Sequence, residues 1–152
     1  MRAVLVVNAG STSLKLHIVE DGVSRRVQRF ERADAVGHRI VHGGQRLDRP
    51  VVVDADVERA IAEASQLAPL HNAPALDAMR DALRALPDVP HVAVFDTAFH
   101  RTIPERASTY AIPQRWRDDW GIRRYGFHGL SVQWVAEQVA VERLVVCHLG
   151  GG

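Results

Sequence analysis

The chain has 152 residues, of which 47% are hydrophobic and 24% charged, and these fractions are ordinary for one globular domain with its own core. Its 19 basic and 18 acidic residues give a net charge of +1, which argues against a surface for nucleic acid or anionic membranes. Cys147 is the only cysteine, and no apolar run is long enough for a signal peptide or membrane span, so we expect a reducing cytoplasm.

Three short strands joined by tight turns are predicted at the start of the chain. The apolar run 2–8 predicts a buried strand, and the alternating segment 13–20 predicts its hairpin partner. Asp21-Gly22 is a typical two-residue turn, after which 23–30 is predicted as a third strand. Because short turns join antiparallel neighbours, these strands should form the antiparallel part of a sheet.

Strands and helices alternate in the rest of the chain. Further strands are predicted at 36–42, 51–53, 91–95 and 144–147. Helices are predicted over about 57–68 with Asp54 as N-cap, over 74–86 with Pro74 near its start, near 114–120 and over about 131–141. This order predicts a mixed α/β sheet with helices packed on it, whose ligands would gather at the carboxyl ends of the strands.

The first predicted strand leads into a small, hydroxyl-rich turn, Asn8-Ala-Gly-Ser-Thr-Ser-Leu-Lys15, that ends in the only lysine of the chain. Backbone N–H groups and hydroxyls of such a turn can surround phosphate oxygens, and the ammonium adds a compact positive charge. A tight hairpin turn with a solvated lysine is the alternative explanation.

Arg39 lies in the segment Gly37-His-Arg-Ile-Val-His-Gly-Gly44, where it shares a strand face with Val41 while His38 and His42 share the other. A guanidinium beside an apolar side chain can clamp a small carboxylate through two parallel hydrogen bonds. An exposed strand end with a solvated arginine is the alternative. The two histidines are candidate metal ligands, but no acidic or cysteine partner lies at a ligand spacing.

Three later segments place polar groups at the ends of predicted elements. His71 and Asn72 follow the first long helix, and either can cap the second. Asp96 follows a buried strand and lies between aromatic residues, where a carboxylate is costly unless Arg39, a metal or a hydroxyl pairs with it. In Tyr125-Gly-Phe-His-Gly129, the glycines that flank Phe-His indicate close backbone approach and a positioned imidazole.

The chain ends in His148-Leu-Gly-Gly-Gly152, which looks like a second phosphate loop. Together these segments supply two phosphate-type loops, a clamping arginine, a strand-end acid and a positioned imidazole. Phosphoryl transfer requires this kind of set, because it depends on positioning and on positive charge rather than on covalent chemistry by the protein. No Ser-His-Asp order or His-Glu-x-x-His pattern competes with it.

Six segments in a fixed order carry a resemblance to a known family: 8–15, 38–44, 68–72, 95–100, 124–129 and 148–152. On these residues the whole chain resembles the acetate kinase family of carboxylate phosphotransferases. The resemblance implies the fold shared by actin, sugar kinases and Hsp70, with 1–152 as its N-terminal ribonuclease-H-like domain and the C-terminal nucleotide-binding domain absent. It also implies reversible, Mg²⁺-dependent (or Mn²⁺-dependent) phosphoryl transfer from ATP to acetate, which gives acetyl phosphate and ADP, in enzymes that are homodimers at full length.

The resemblance implies a role for each matching residue near the carboxylate. Arg39 would hold the substrate carboxylate or the transferring phosphoryl group, and Asp96 would be the catalytic acidic residue. His71 and His128 would donate hydrogen bonds to the equatorial oxygens in the transition state. The pocket for the acetyl methyl group would be walled by Val41, Leu70 and Phe127.

The remaining matches fall on the nucleotide and metal sites. Asn8 would contribute to the Mg²⁺ site, and Ser11, Ser13 and Lys15 would face the nucleotide phosphates. The first adenine-nucleotide loop would comprise His148, Leu149, Gly150, Gly151 and Gly152.

Departures from the family pattern leave other hypotheses open. Leu130 and Val132 stand where the family has polar residues, and Gly151 stands where asparagine is frequent. One alternative is a truncated, non-catalytic binding or interaction module, and another is a lobe of a propionate or butyrate kinase. A histidine-rich metal hydrolase is a third alternative, which zinc dependence without ATP would favour.

Overall fold

The computed structural model describes residues 2–10 and 13–149, so the predicted site residues Ser11, Gly150, Gly151 and Gly152 lie outside it. The strands are β1 Ala3–Ala9, β2 Leu14–Glu20, β3 Val23–Val27, β4 Ala35–Ile40, β5 Val51–Val52 and β6 His91–Phe95. The helices are α1 Ala55–Ala64, α2 Pro69–Ala85, α3 Asp96–Phe99, α4 Glu105–Ser108, α5 Gln114–Trp120 and α6 Gly129–Gln138, with a 3₁₀ turn at His100–Thr102. Within these residues, no helix has the length and apolar character needed to cross a membrane.

The six strands form one mixed sheet in the order β3-β2-β1-β4-β6-β5. Strands β1, β2 and β3 pair antiparallel, whereas β4 pairs parallel with both β1 and β6. Asp21 and Gly22 both have positive φ, of 49° and 79°, as the tight turn between β2 and β3 requires. The predicted mixed sheet, with three antiparallel strands followed by helix-linked strands, is therefore confirmed.

The two faces of the sheet differ in what they bury. Alternate residues of β1, such as Leu5 and Val7, join Val36 and Ile40 of β4 in a core that α2 covers with residues such as Met79. Side chains on opposite sides of a strand alternate, so Asn8 and Arg39 belong to the other face. The polar groups at the carboxyl ends of the strands are therefore separated from the core.

The two long helices begin differently from each other. Asp54 caps α1, since its Oδ1 accepts a hydrogen bond from the Val57 N–H at 2.8 Å, as predicted. The predicted start of the second helix at Pro74 is wrong, because α2 begins at Pro69 and contains Pro74. Pro69 takes the first helical position, where a missing N–H costs nothing, and Pro74 removes only one internal hydrogen bond. His71 and Asn72 consequently lie inside α2 rather than at its cap.

The predicted strand 144–147 is also wrong. These residues are not in a strand, and the Val145 side chain is 87% exposed. The apolar, β-branched run has the propensity to extend, but a strand forms only beside a paired neighbour. Within the described residues, no backbone hydrogen bond joins 144–147 to the sheet. Strand β3 likewise ends at Val27 rather than at residue 30.

Candidate active site

One rung of the sheet brings three polar residues side by side. Asn8 of β1 pairs in register with Lys15 of β2 on one side and with Arg39 of β4 on the other. Residues paired across neighbouring strands lie on the same face, so the three side chains occupy one edge of the open face. The sheet register thus joins the predicted phosphate turn to the predicted carboxylate clamp.

Arg39 bridges the two strands that flank it. Its Nη1 donates to Asn8 Oδ1 at 3.2 Å, and its Nη2 donates to Asp96 Oδ2 at 2.5 Å. Asp96 follows directly after β6 and is 1% exposed, so its carboxylate needs a charged partner. The expectation that Arg39 could supply that partner is confirmed.

The second oxygen of Asp96 contacts the start of α6. Its Oδ1 accepts the backbone N–H of Leu130 at 3.3 Å. A Cβ at Gly129 would lie 1.8 Å from the Asp96 carbonyl oxygen, so only glycine permits this approach. Leu130 therefore contacts Asp96 through its backbone N–H, and this contact does not depend on a polar side chain at position 130.

A cavity of about 420 Å³ opens beside this ion pair. Arg39, Asp96, His71 and His128 line it together with the apolar side chains of Val41 and Phe127. The structure thus brings together six of the residues that the sequence singled out. They combine a cationic clamp with a small apolar wall and two imidazoles.

Leu70 is the member of the predicted wall that does not line this cavity. It is 76% exposed and does not line the cavity, whereas Leu67 and Ala68 do. Because α2 begins at Pro69, Leu70 and His71 are successive helical residues, about 100° apart around the axis. His71 points toward the cavity, and Leu70 is turned away from it toward solvent.

A second cavity of about 870 Å³ adjoins the first on the same face of the sheet. Arg39 and His128 line both, and Asn8, Lys15 and His148 line the second. Ser13 is exposed and lines neither, and its carbonyl accepts the Gly10 N–H at 2.8 Å. Leu149 is exposed and also lines neither cavity.

The loop that carries His128 is held in an uncommon conformation. His128 has a φ of +54°, in the left-handed region that residues other than glycine rarely adopt. His100 supports the loop, because its Nε2 donates to the Phe127 carbonyl at 2.9 Å. The His128 and His148 rings stack at a centroid distance of 4.3 Å. Stacking and loop geometry together fix the imidazole at the junction of the two cavities.

Asn72 has a structural role that the sequence pattern did not indicate. It is fully buried, accepts the His42 N–H at 3.0 Å and donates to the His42 carbonyl at 2.7 Å. The Thr97 hydroxyl oxygen accepts the Gly43 N–H at 3.0 Å. These bonds fix the chain that follows β4, and with it Arg39 and Val41.

His38 forms a buried pair with His91 on the core face. The Leu86 carbonyl can only accept from His91 Nε2, so His91 Nδ1 accepts from the His38 Nε2–H at 2.9 Å. Burial, and then the nearby His91, lower the pKa of His38 to about 4. Burial also lowers the pKa of His42. The rings of His38 and His42 are therefore neutral near pH 7.

The described residues contain no group of three or more His, Cys, Asp or Glu side chains arranged to hold a metal. His38 and His42, the two candidate ligands from the sequence, are instead buried and form hydrogen bonds with His91 and with the Gly44 N–H. The oxygen atoms of Asn8 and Asp96, on either side of Arg39, are the groups in the cleft with the chemistry that Mg²⁺ prefers.

Comparisons with known proteins agree with the geometry. The sequence model of the Acetokinase family matches residues 25–152. The chain is 48% identical over 146 residues to the acetate kinase of Thermotoga maritima, covering 91% of this chain and 34% of that protein. It is 46% identical over 127 residues to the acetate kinase of Staphylococcus aureus strain JH9, covering 78% and 32%. The chain therefore spans about a third of the length of the curated relatives it matches.

Solved structures of similar proteins show the same fold. A propionate kinase from Francisella tularensis matches with a TM-score of 0.82 at 30% identity, over 91% of this chain and 48% of that chain. An acetate kinase from Porphyromonas gingivalis matches with a TM-score of 0.79 at 29% identity, over the same shares. These matches confirm the predicted fold class of the actin, sugar kinase and Hsp70 superfamily.

Proposed function

Because the chain belongs to the acetokinase family, we propose that it forms the carboxylate-binding part of an ATP-dependent acetate kinase. The reaction is reversible transfer of the terminal phosphoryl group of ATP to acetate, which gives acetyl phosphate and ADP. One observation carries the proposal: Arg39, held by Asn8 and Asp96, lines a cavity that also has an apolar wall. A short carboxylic acid would fit such a cavity, because it has a charged carboxylate for Arg39 and a small apolar group for the wall.

Arg39 has the capacity to bind acetate while it keeps its present partners. A guanidinium has five N–H donors, and two of its nitrogens already donate to Asn8 and Asp96. Its side chain is 24% exposed, so donors remain available to the cavity. The acetate methyl group would lie against Val41 and Phe127, where burial of apolar surface favours it.

Asp96 acts by positioning in this proposal. Acetate is already ionised near neutral pH, because carboxyl pKa values lie around 4 to 5. No strong general base is then required to activate it as a nucleophile. The buried carboxylate instead orients Arg39, since it accepts from the guanidinium on one side and from the Leu130 N–H on the other.

The transferring phosphoryl group would lie at the junction of the two cavities. His128 and Arg39 line both cavities, His71 lines the first and Lys15 lines the second. Donors and cations around that junction can stabilise negative charge on the equatorial oxygens, which is the main requirement of phosphoryl transfer. Ser11 and the glycines 150–152, which the structure does not describe, would supply further phosphate contacts.

Mg²⁺ would be held by the side-chain oxygen of Asn8 together with the phosphates of ATP. This ion keeps several waters and needs only one or two protein oxygens when phosphates are present, so a single amide oxygen suits it. When bound, it supplies positive charge that offsets the charge of the phosphates.

We further propose that residues 1–152 are the N-terminal ribonuclease-H-like domain of a cytoplasmic enzyme, and that they need further residues for activity. The chain covers only 34% of the Thermotoga maritima relative, so most of a protein of that length would lie outside 1–152. Phosphoryl transfer requires positive charge on all sides of the transferring group and the exclusion of water from it. The 152 residues alone should therefore bind acetate without catalysing transfer.

A propionate kinase lobe is the second candidate. The Francisella tularensis protein to which this chain is similar in structure is a propionate kinase, and a cavity of about 420 Å³ has room for one more methylene. A methylene changes discrimination by only about 1–3 kcal/mol in an apolar pocket. Competition between acetate and propionate for the cavity would rank the two substrates.

An acetyl phosphate assay tests the reaction itself. The chain is incubated with ATP, Mg²⁺ and acetate, once alone and once as part of a chain extended by the remainder of the Thermotoga maritima acetate kinase. We expect acetyl phosphate only from the extended chain, and its loss when Arg39 becomes Gln. Zinc-dependent hydrolysis without ATP, or an extended chain that folds and binds ATP but yields no acetyl phosphate, would contradict the proposal.

A further inference from the structure

Three arginines outside the candidate active site line the same space. Arg101 lies in the 3₁₀ turn, Arg117 in α5 and Arg123 just after α5. All three line both of two adjoining cavities, of about 360 Å³ and 440 Å³. Neither cavity shares a lining residue with the two cavities of the candidate active site.

These arginines have no carboxylate partner among the described residues. Among the residues that the structure describes, seven other arginines lie within 4.0 Å of a carboxylate, but none of these three does. The Arg117 Nε atom is buried and has no hydrogen-bond partner. A buried donor without an acceptor is unfavourable, so an anion in the cavity would remove a cost that the protein alone carries.

The smaller cavity has the stronger positive charge. Asp48 is its only acidic lining residue, whereas Glu105 and Asp118 line the larger one. Asp48 also accepts a hydrogen bond from Arg49 at 3.2 Å, which offsets part of its charge. With three arginines and one aspartate, the smaller cavity has an excess of two positive charges. A phosphate dianion matches that excess, whereas a carboxylate would leave one charge uncompensated.

The cavity also has fixed elements that would hold such an anion. The Arg123 guanidinium lies over the Tyr125 ring, 5.6 Å from its centroid, which restricts its orientation. Thr97 lines the cavity, and its hydroxyl oxygen accepts from Gly43, which leaves the O–H as a donor for a bound anion. Guanidinium forks and hydroxyls are the donors that phosphate oxygens bind most strongly in proteins.

We propose that Arg101, Arg117 and Arg123 form a binding site for a phosphate group, separate from the candidate active site. The ligand is either inorganic phosphate or a small phosphate ester, since a cavity of about 360 Å³ admits both. The site does not depend on the proposed kinase reaction, because no residue of that cleft lines it.

Phosphate titration of the 152-residue chain at constant ionic strength tests this site. Heat of binding is measured in an Arg39→Gln background, which weakens phosphate binding in the candidate active site. Arg117→Gln and Arg101→Gln should each weaken phosphate binding at least about tenfold, as expected for the loss of a charge-assisted hydrogen bond. Arg115→Gln is the matched control, because Arg115 lies on the same helix and lines neither cavity.

The outcomes separate the possibilities. Absence of saturable binding in the Arg39→Gln background, or equal weakening by Arg115→Gln, would overturn the site. Arg101 is exposed, so Arg101→Gln keeps the test valid if Arg117→Gln lowers the thermal midpoint of the chain. Methyl phosphate distinguishes the sources: binding at least as tight as that of inorganic phosphate assigns the site to an ester, and weaker binding assigns it to the free anion.

Discussion

Asn72 pairs with both backbone groups of His42, accepting the N–H at 3.0 Å and donating to the carbonyl at 2.7 Å. The two residues belong to different layers, since Asn72 lies in α2 and His42 follows β4. The side-chain amide thus takes the place of a neighbouring strand for the backbone beyond the end of β4. Through this contact, a residue with no place in the proposed chemistry holds Arg39 and Val41 at the cavity.

Replacing Asn72 with Ala should destabilise the chain. Two buried backbone groups of His42 would lose their partners, and we expect the free energy of unfolding to fall by about 2–4 kcal/mol. Urea denaturation followed by circular dichroism measures the loss. Gln66→Ala, at an exposed position in the chain between α1 and α2, is the control and should change stability by less than about 0.5 kcal/mol. Equal effects of the two substitutions would show that the Asn72 bonds do not support the fold.

Gly129→Ala should disturb the junction of α3 and α6. The new Cβ would lie 1.8 Å from the Asp96 carbonyl oxygen and 2.8 Å from its carbon, so the backbone must move. We expect a loss of about 1–3 kcal/mol in the free energy of unfolding, as for other overpacked sites. Gly37→Ala is the matched control, because its Cβ would meet only the Val4 side chain at 3.9 Å. If both variants unfold at the same urea concentration, the close approach at Gly129 is not what the structure indicates.

The stability of the chain should fall as the pH is lowered from about 6.5 to about 4. His38 is neutral in the folded state down to a pKa of about 4, whereas in the unfolded chain it binds a proton near its ordinary value of 6.5. Protons therefore favour the unfolded state between these values, and the contribution lost is about 3 kcal/mol. His42, whose pKa is also lowered, adds to the loss in the same direction.

His38→Gln isolates this effect. The variant keeps a hydrogen-bond donor for His91 but cannot titrate, so its free energy of unfolding should depend less steeply on pH between 6.5 and 4. Urea midpoints of the two proteins at a series of pH values give the comparison. Parallel profiles for the variant and the parent chain would mean that His38 is not buried in its neutral form.

Asp96→Asn should lower turnover sharply in an extended chain that makes acetyl phosphate. The amide still fills the space but no longer pairs its charge with Arg39, so we expect a loss of about 10²-fold from misplacement of the clamp. The acid side of the pH–rate profile should keep its midpoint, because Asp96 positions Arg39 and does not accept the substrate proton. A wild-type rate, or a shifted acid midpoint with little loss of rate, would contradict this role.

Much of the fold could be predicted because its signals are local. Asp54 caps α1 through a hydrogen bond three residues along the chain, and α5 occupies the predicted range 114–120. The partner of Asp96 was predictable in part, since a carboxylate at the end of a buried strand needs pairing, and Arg39 was one of three partners considered beside a metal and a hydroxyl.

The rest depended on contacts that the sequence does not display. The His38–His91 pair joins residues 53 positions apart, and it follows from the parallel register of β4 and β6. The role of Asn72 required α2 to begin at Pro69 instead of Pro74. The prediction of a strand at 144–147 was wrong because extension needs a neighbour as well as propensity.

Acetate binding to the 152-residue chain tests whether Arg39 clamps a carboxylate. Saturation of ¹H–¹⁵N chemical shift changes on addition of acetate is measured for the parent chain, for Arg39→Gln and for Arg46→Gln, whose arginine pairs with Glu63 on the surface. Arg39→Lys, which keeps the charge but loses the fork, is included in case Arg39→Gln fails to fold. We expect saturable binding that Arg39→Gln or Arg39→Lys weakens at least about tenfold and Arg46→Gln leaves unchanged. No saturable binding by the folded parent chain, or equal affinity in all folded variants, would contradict this role of Arg39.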